Sequence, residues 1–562
     1  MSSKGPGAAP PAGGVLPAKR TEQWGTRVGL VLAMAGNAVG LGNFLRFPAQ
    51  AAQNGGGAFL IPYLICFLLM GLPLLWVEWA IGRHGGLFGH HSAPGMLDRL
   101  GRYRWLKYVG VFGLFTNLCI AAYYTYIESW TLAYVFHSVV GTFREIAPPA
   151  FFNAFVGAES HSIFYMPREA LFWFLLTLAL NIVILSRGLA KGIELAALIG
   201  MPLLIGFAVV LAIRGLLLSP GSPGVVQSPL IGLNYIWQPN LGGLANPKTW
   251  LAAAGQIFFT LSVGMGSIHC YASYVGRKKD IAVNAMAAGW TNEFVEIVLG
   301  SALIIPIATA YLGLDAVQAA TAGGSGFGLG FLTLPTLFNN WGWFAPLAGA
   351  LWFGLLFFAG ITSSLAMGQP ILAFLEDEFD WPRNRSAITF GACTLLLGLV
   401  CVWLYPGGAF DEFDFWTGTF SLVVFALAEV IIFSWIFGSD RGWEEITRGA
   451  DMKVPEFFRF VIRFVTPALL ASVFLASLLN PEGGNWIAAF HSFFSGEGWP
   501  FSAESVVGKV LHAGSPEYQW FDASGHPTRD LVIDGTRILL MLVFAGIALL
   551  VYKAWKRKGA AA

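Results

Sequence analysis

The chain has 562 residues, of which 56% are hydrophobic and 12% charged, about half the charged share usual for soluble globular domains. That balance excludes a water-soluble globule, and a formal net charge of +1 argues against a nucleic acid as partner. Five cysteines, Cys66, Cys119, Cys270, Cys393 and Cys401, all fall in apolar segments with no partner at metal-ligand spacing, so they read as packing residues and imply no disulfide framework.

Residues 1–20 are rich in Gly, Ala and Pro and lack a continuous apolar core, which predicts a disordered cytoplasmic tail and not a cleaved signal peptide. A membrane-crossing helix needs about 20 mostly apolar residues. Twelve segments meet that requirement: 25–50, 58–81, 105–137, 169–186, 193–217, 250–275, 282–312, 343–374, 386–404, 413–437, 457–480 and 536–555. Turn-forming stretches such as "RGLAKG", "SPGSPG", "YPGG" and "NPEGG" lie between them, and the regularly spaced alternating segments of an outer-membrane barrel are missing. With the N-terminus inside, the Lys/Arg-rich stretches "DRLGRYRWLK", "GRKKD", "PRNR" and "KAWKRK" all fall on the cytoplasmic side, as the positive-inside bias requires. An even number of crossings puts both termini in the cytoplasm of a cell-membrane protein. Residues 481–535 form a long polar outer segment, read either as a cap over the outer vestibule or as a tether.

The first span contains "AGNAVGLGNFLRFP" at 35–48. Each glycine in a helix interior costs roughly 1 kcal/mol, so Gly36, Gly40 and Gly42 make unwinding cheap there. Unwound backbone at membrane depth is tolerated only where it is buried in protein or lines a cavity. There its carbonyls can hold a cation, and the half-helix N-termini suit a carboxylate. The sixth span, "GQIFFTLSVGMGSIHCYASY" at 255–274, repeats the pattern, with Gly264 and Gly266 following Thr260 and Ser262. Two interrupted helices at matching positions of two five-helix halves point to an inverted-repeat transporter with a midplane site. The alternative is close packing of small residues along helix seams; Asn37, Asn43 and Thr260 weigh against it. Arg46, just past the first break, costs about 2.5–3.5 kcal/mol at the bilayer centre and therefore needs a partner, water, or a route for its head to the interface.

These stretches carry a resemblance. "GLVLAMAGNAVGLGNFLRFP", "NGGGAFLIPY", "WVEWAIGR", "YYTYIESW", "GQIFFTLSVGMG", "TNEFVEIVLG", "FFAGITSSLA" and "DEFDFWTGT" occur in the order of the neurotransmitter:sodium symporter family, and the chain resembles that family over roughly residues 24–480. The resemblance implies an all-α polytopic membrane protein with 12 transmembrane helices and a LeuT-type 5+5 inverted repeat, helices 1 and 6 being unwound at the midplane. Residues 21–217 and 218–437 would be the two repeats, and 438–562 would carry the last two helices. It also implies sodium-coupled amino-acid import by alternating access.

By the same resemblance one sodium ion would use Ala38, Asn43, Thr260 and Asn292 together with the substrate carboxylate. A second would use Gly36, Val39, Ala359, Thr362 and Ser363. Hard Na⁺ prefers such oxygen ligands, although Thr362 and Ser363 taken alone read as hydroxyls bonded back to their own helix. The substrate would lie among Asn37, Ala38, Leu41, Gly42, Ile120, Tyr124, Phe259, Thr260, Ser262, Met265, Ser363 and Met367. Tyr124, which alone could equally be a core tyrosine, would bond the carboxylate and form a lid with Phe259. The wall carries no charge, so it suits neutral hydrophobic side chains; flexible Met265 and Met367 extend the expected range to aromatic amino acids.

Arg46 and Asp414 would form the outer gate, directly or through water. Tyr274 and Asp377 match inner-gate positions, but Thr21 stands where the family has an arginine, leaving Arg20 or Lys19 as substitutes. Glu296 shares a helix face with Asn292. Chloride-dependent members of the family carry a neutral residue there, so this acid implies transport without chloride and leaves proton exchange during the cycle open. The expected partners are an amino acid, two Na⁺ and the bilayer, with a homodimer possible. A non-transporting amino-acid sensor is the alternative, though the termini are short for a signalling domain, and a channel would need a continuous polar pore. No enzyme is expected: His269 reads as an isolated histidine, and His90-His91 lie in a loop without acidic partners at catalytic spacing.

Overall fold

The computed structural model describes residues 22–158, 165–321, 326–513, 515 and 517–561; the tail over 1–20 and the gate positions Lys19, Arg20 and Thr21 lie outside them. Among the described residues every extended element is helical, and β pairing is limited to isolated bridges such as Pro481 with Phe501. Ten helices there are long and apolar enough to cross a membrane, and they coincide with ten of the twelve expected spans. Four matter most below: α4 (Gly57–Gly86), α5 (Leu106–Val140), α10 (Ala282–Leu312) and α13 (Ala409–Thr447), together with α11 (Ala345–Phe379), the long part of a further one.

The other two spans are chains of shorter helices. The first is α1 (Arg27–Ala38), α2 (Leu41–Phe44) and α3 (Arg46–Gln53). The sixth is α8 (Pro247–Leu261) and α9 (Ser267–Ser273). α1 starts where the Thr26 hydroxyl accepts the Gly29 N–H, and the Glu194 carboxylate accepts the Gly25 and Thr26 N–H groups at 2.7 and 3.0 Å. Such side-chain acceptors satisfy donors that a helix N-terminus leaves orphaned. α1 stops because Val39 and Gly40 are extended. α8 stops at Ser262, which is left-handed at φ 54°, a conformation an L-residue adopts only at a cost. Gly264 (φ 72°) continues the break, and a Cβ there would come within 2.9 Å of the Ala426 methyl on α13.

Burial sorts the bundle into scaffold and periphery. The apolar windows of α5 and α10 are each 83% buried, whereas those of Phe457–Leu479 and Arg529–Lys558 are 28% and 22% buried. α5 packs along α11 more extensively than any other pair, and Trp76, Trp79, Trp130 and Trp352 are sealed in the core. The peripheral helices keep exposed apolar residues such as Leu475, Met541 and Leu542, surface that belongs against lipid.

At the end of α4, Arg83 is fully buried and bonds Glu445 at 2.8 Å, the Lys279 carbonyl at 2.7 Å and the Arg448 carbonyl at 3.1 Å. It staples α4, the 276–280 loop and α13 together. Glu445→Ala strands this guanidinium without its carboxylate, and breaking one partner of a buried pair costs about 3–5 kcal/mol. Thermal unfolding in detergent is expected to drop sharply for Glu445→Ala; an unchanged midpoint would show the carbonyls suffice.

Candidate functional site

The two breaks face one another across a small shared cavity. Asn37, Ala38, Leu41 and Gly42 line it from the first break, and Phe259, Thr260, Ser262 and Met265 from the second. Ile120 and Tyr124 on α5 and Ser363 and Met367 on α11 complete the set of twelve residues named above. Gly40 of the first break and Asn43, expected at the first sodium site, line it too, as do Tyr123, Gly418 and Leu422, which sequence reasoning missed. No Asp, Glu, Lys, Arg or His is in the wall.

Hydrogen bonds tie the breaks to each other. The Ser262 hydroxyl donates to the Asn37 carbonyl at 2.9 Å, and the Asn37 amide donates to the Ser267 hydroxyl at 3.1 Å. The Tyr124 hydroxyl accepts the Leu41 N–H at 3.1 Å, so it stands at the start of α2. Gly42 lies against the Phe259 ring, whose Cδ1 would be 2.6 Å from an added Cβ. Gly42→Ala therefore pushes Phe259 out of place, and the affinity of a ligand held in this cavity is expected to fall at least tenfold in a binding assay; wild-type affinity would show that the ring yields freely.

Two clusters of oxygen atoms flank the cavity. In the first, the Asn43 amide donates to Asn292 at 2.8 Å, Glu296 at 3.0 Å and Thr260 at 3.2 Å. The Thr260 hydroxyl donates to Glu296, and Gln256 holds the other Glu296 oxygen at 2.6 Å. Glu296 is fully buried and sits in a π-helical turn, Phe294–Gly300, a distortion frequent at functional sites. Gln256 and the adjoining buried Glu293 were not foreseen. In the second cluster the Ser363 hydroxyl reaches the Ala359 carbonyl at 3.1 Å and the Gly36 carbonyl at 3.2 Å. It thus bonds both its own helix and α1. Thr362 bonds back to Phe358 and Ala359 and packs on Gly36; Val39 lies at the end of α1.

Above the cavity, the Arg46 guanidinium lies 4.6 Å from the Phe259 ring centroid, and Tyr123 donates to Asp414 at 2.7 Å. Among the described residues Arg46 and Asp414 make no direct ion pair. Arg46 rests instead on the lid ring, a cation–π contact, and Asp414 is held by the neighbour of Tyr124.

At the opposite end Tyr274 and Asp377 meet through His91. The His91 N–H donates to Asp377 at 2.7 Å, and its ring stacks on Tyr274 with centroids 4.3 Å apart. His90 is 3.0 Å from Glu378. The expectation that these histidines lack acidic partners is therefore corrected for His90, whose acid comes from α11, far away in sequence; the His91 imidazole meets the Ser273 hydroxyl at 2.8 Å. Two basic groups are described here: Lys558, 2.7 Å from Glu378 beside Asp377, and Arg383, 3.6 Å from both Glu22 and Glu376 and bonded to Gln369, which in turn bonds Tyr274. His269 is likewise not isolated, since Glu78 and Glu429 flank it.

A helical bundle with ten membrane-length helices and two broken ones around an uncharged cavity defines a polytopic membrane protein. The family described as sodium:neurotransmitter symporter matches residues 21–145 and 160–511. An uncharacterized sodium-dependent transporter of Methanocaldococcus jannaschii is 29% identical over 476 residues, covering 82% of this chain and 91% of its own length. The sodium-dependent nutrient amino acid transporter 1 of Drosophila melanogaster is 26% identical, covering 83% and 78%. The crystal structure of MhsT in complex with L-phenylalanine superposes with a TM-score of 0.69 at 30% identity, covering 81% of this chain and 99% of that one. The chain belongs to the sodium:neurotransmitter symporter family and is a multi-pass membrane protein.

Proposed function

We propose that the chain is a sodium-coupled symporter that imports neutral hydrophobic L-amino acids, aliphatic and aromatic, by alternating access and without chloride. The observation that carries this reading is the uncharged cavity between two helix breaks with an oxygen cluster on either side. In this reading twelve helices cross the cell membrane with both termini in the cytoplasm, and residues 21–217 and 218–437 form the two halves of the inverted repeat.

The amino-acid carboxylate binds near the Tyr124 hydroxyl and the N-terminus of α2, where backbone N–H groups favour an anion. Its side chain lies against Leu41, Ile120, Phe259, Met265 and Met367. One Na⁺ is held by Ala38, Asn43, Thr260, Asn292 and the substrate carboxylate. The Asn43 amide turns its oxygen inward as the ion arrives. The second Na⁺ lies among Gly36, Val39, Ala359, Thr362 and Ser363. Sharing the carboxylate between ion and amino acid makes each complete the other's site, so their affinities rise together.

The test is radiolabelled leucine and phenylalanine uptake into proteoliposomes, with an inward Na⁺ gradient against a K⁺ control in chloride-free buffer. Accumulation only with Na⁺ supports symport; equal uptake in K⁺ removes the coupling. In the same vesicles Phe, Tyr and Trp are expected to displace Leu, because the two methionines give the wall room to adapt. Failure of all three aromatics would restrict the pocket to aliphatic side chains.

A further inference from the structure

One cluster of ionisable groups lies outside the cavity wall and outside both oxygen clusters. Glu78 on α4, His269 on α9 and Glu429 on α13 are each fully buried. His269 Nδ1 is 3.8 Å from Glu78 Oε2, and His269 Nε2 is 3.3 Å from Glu429 Oε2. One polar atom from each lies within 4.8 Å of the others. Glu78 Oε2, both ring nitrogens and both Glu429 oxygens are buried without a hydrogen-bond partner. The remaining oxygen, Glu78 Oε1, accepts the Gly264 N–H at 2.5 Å, inside the second helix break.

The surroundings offer no counter-charge. α5 presents Asn117, whose amide is already spent on the Gly113 and Met265 carbonyls. α13 presents the Phe425 ring, 5.9 Å from the imidazole. Among the described residues no Lys, Arg or further acid pairs with the three. With both carboxylates ionised and the ring neutral, the cluster would hold two unpaired negative charges away from water, which is prohibitive. A proton taken up by the ring or by either acid relieves it. Opposite ring nitrogens face different acids, at 3.8 and 3.3 Å, so the imidazole stands where it can exchange a proton with either.

We propose that Glu78, His269 and Glu429 form a proton-binding site that couples proton occupancy to the second helix break and thereby to amino-acid binding. The proposal rests on reading the central cavity as the amino-acid site. His269 rides on α9, immediately after the break; Glu78 grips the break itself; Glu429 shares α13 with Leu422 and Gly418 of the cavity wall. Closure of the two breaks around an amino acid brings the three groups together and takes up a proton from water. Opening separates them and releases it. Uptake on binding means that affinity rises as pH falls and weakens as pH rises, by reciprocal linkage.

The test uses the full chain, purified and freed of metal by chelator, with Na⁺ present. Amino-acid affinity is measured from about pH 5 to about pH 8, the range a histidine spans, for the native chain, His269→Gln and Glu429→Gln. Infrared spectra over the same range read the C=O band of protonated carboxylic acids. Native affinity is expected to weaken several-fold toward high pH, and His269→Gln to flatten that profile while keeping Na⁺-dependent binding. A protonated-carboxyl band is expected in the native chain and lost in Glu429→Gln. Superimposable pH profiles for native and His269→Gln, no such band, or a metal retained by the native chain alone would each overturn the proposal. If the native chain binds no amino acid at all, the symport reading fails, and the infrared band still decides the proton site. The part of the native band lost in Glu429→Gln decides it equally if His269→Gln does not fold.

Discussion

Glu296→Ser is expected to abolish Na⁺-driven uptake in chloride-free medium and to regain it when chloride is added. Glu296 is fully buried and touches Asn43, Thr260, Asn292 and Gln256. In the proposed cycle it supplies the fixed negative charge beside the first Na⁺. Two opposite charges about 4 Å apart attract by about 4 kcal/mol at an effective dielectric near 20. Allowing for reorganisation, its removal lowers Na⁺ affinity by roughly two orders of magnitude. Serine leaves space and a hydroxyl for a mobile anion to take over the charge. Uptake that persists in Glu296→Ser without chloride would mean that the carboxylate does not balance the ion.

Thr260→Val is the second large effect. The Thr260 hydroxyl belongs both to the cavity wall and to the first oxygen cluster. Valine keeps the shape but faces the Asn43 and Asn292 amides and the Glu296 carboxylate with a methyl group. Each buried polar group left without a partner costs about 1–3 kcal/mol. Na⁺ and amino-acid affinity are expected to fall together, each by at least tenfold, in equilibrium binding at varied Na⁺. An amino-acid affinity that drops while its Na⁺ dependence stays native would show that this hydroxyl does not link the two ligands.

Local signals were readable from the residues, and distant meetings were not. Gly36, Gly40 and Gly42 beside Asn37 and Asn43 mark the first break because unwinding is set by the segment itself; the glycines at 264 and 266 do the same for the second. The resemblance then named twelve residues that do line one cavity. Tyr123 escaped because adjacent positions on a helix point about 100° apart, and attention fell on its neighbour. Gly418 and Leu422 escaped because Asp414–Phe420 is a π-helical turn, which rotates the face that α13 offers to the cavity. His269 looked solitary because its two acids arrive from α4 and α13, and His90 looked unpartnered because Glu378 sits on α11. Such pairings are products of packing, invisible to spacing along one helix. Which oxygens hold sodium is a matter of ion chemistry that the uptake and binding experiments address.

Four of the five cysteines are buried and Cys393 is half-buried. A water-borne maleimide therefore finds no well-exposed native thiol, and the unaltered chain is a quiet background for a single engineered label. Cys270 adds something more useful. It lies on α9, four residues before Tyr274 at the end closed by His91 and Asp377. Reagent entering from that end would reach its sulfur only after the closure parts, so in the proposed cycle the onset of Cys270 alkylation is a built-in clock for the opening of that end.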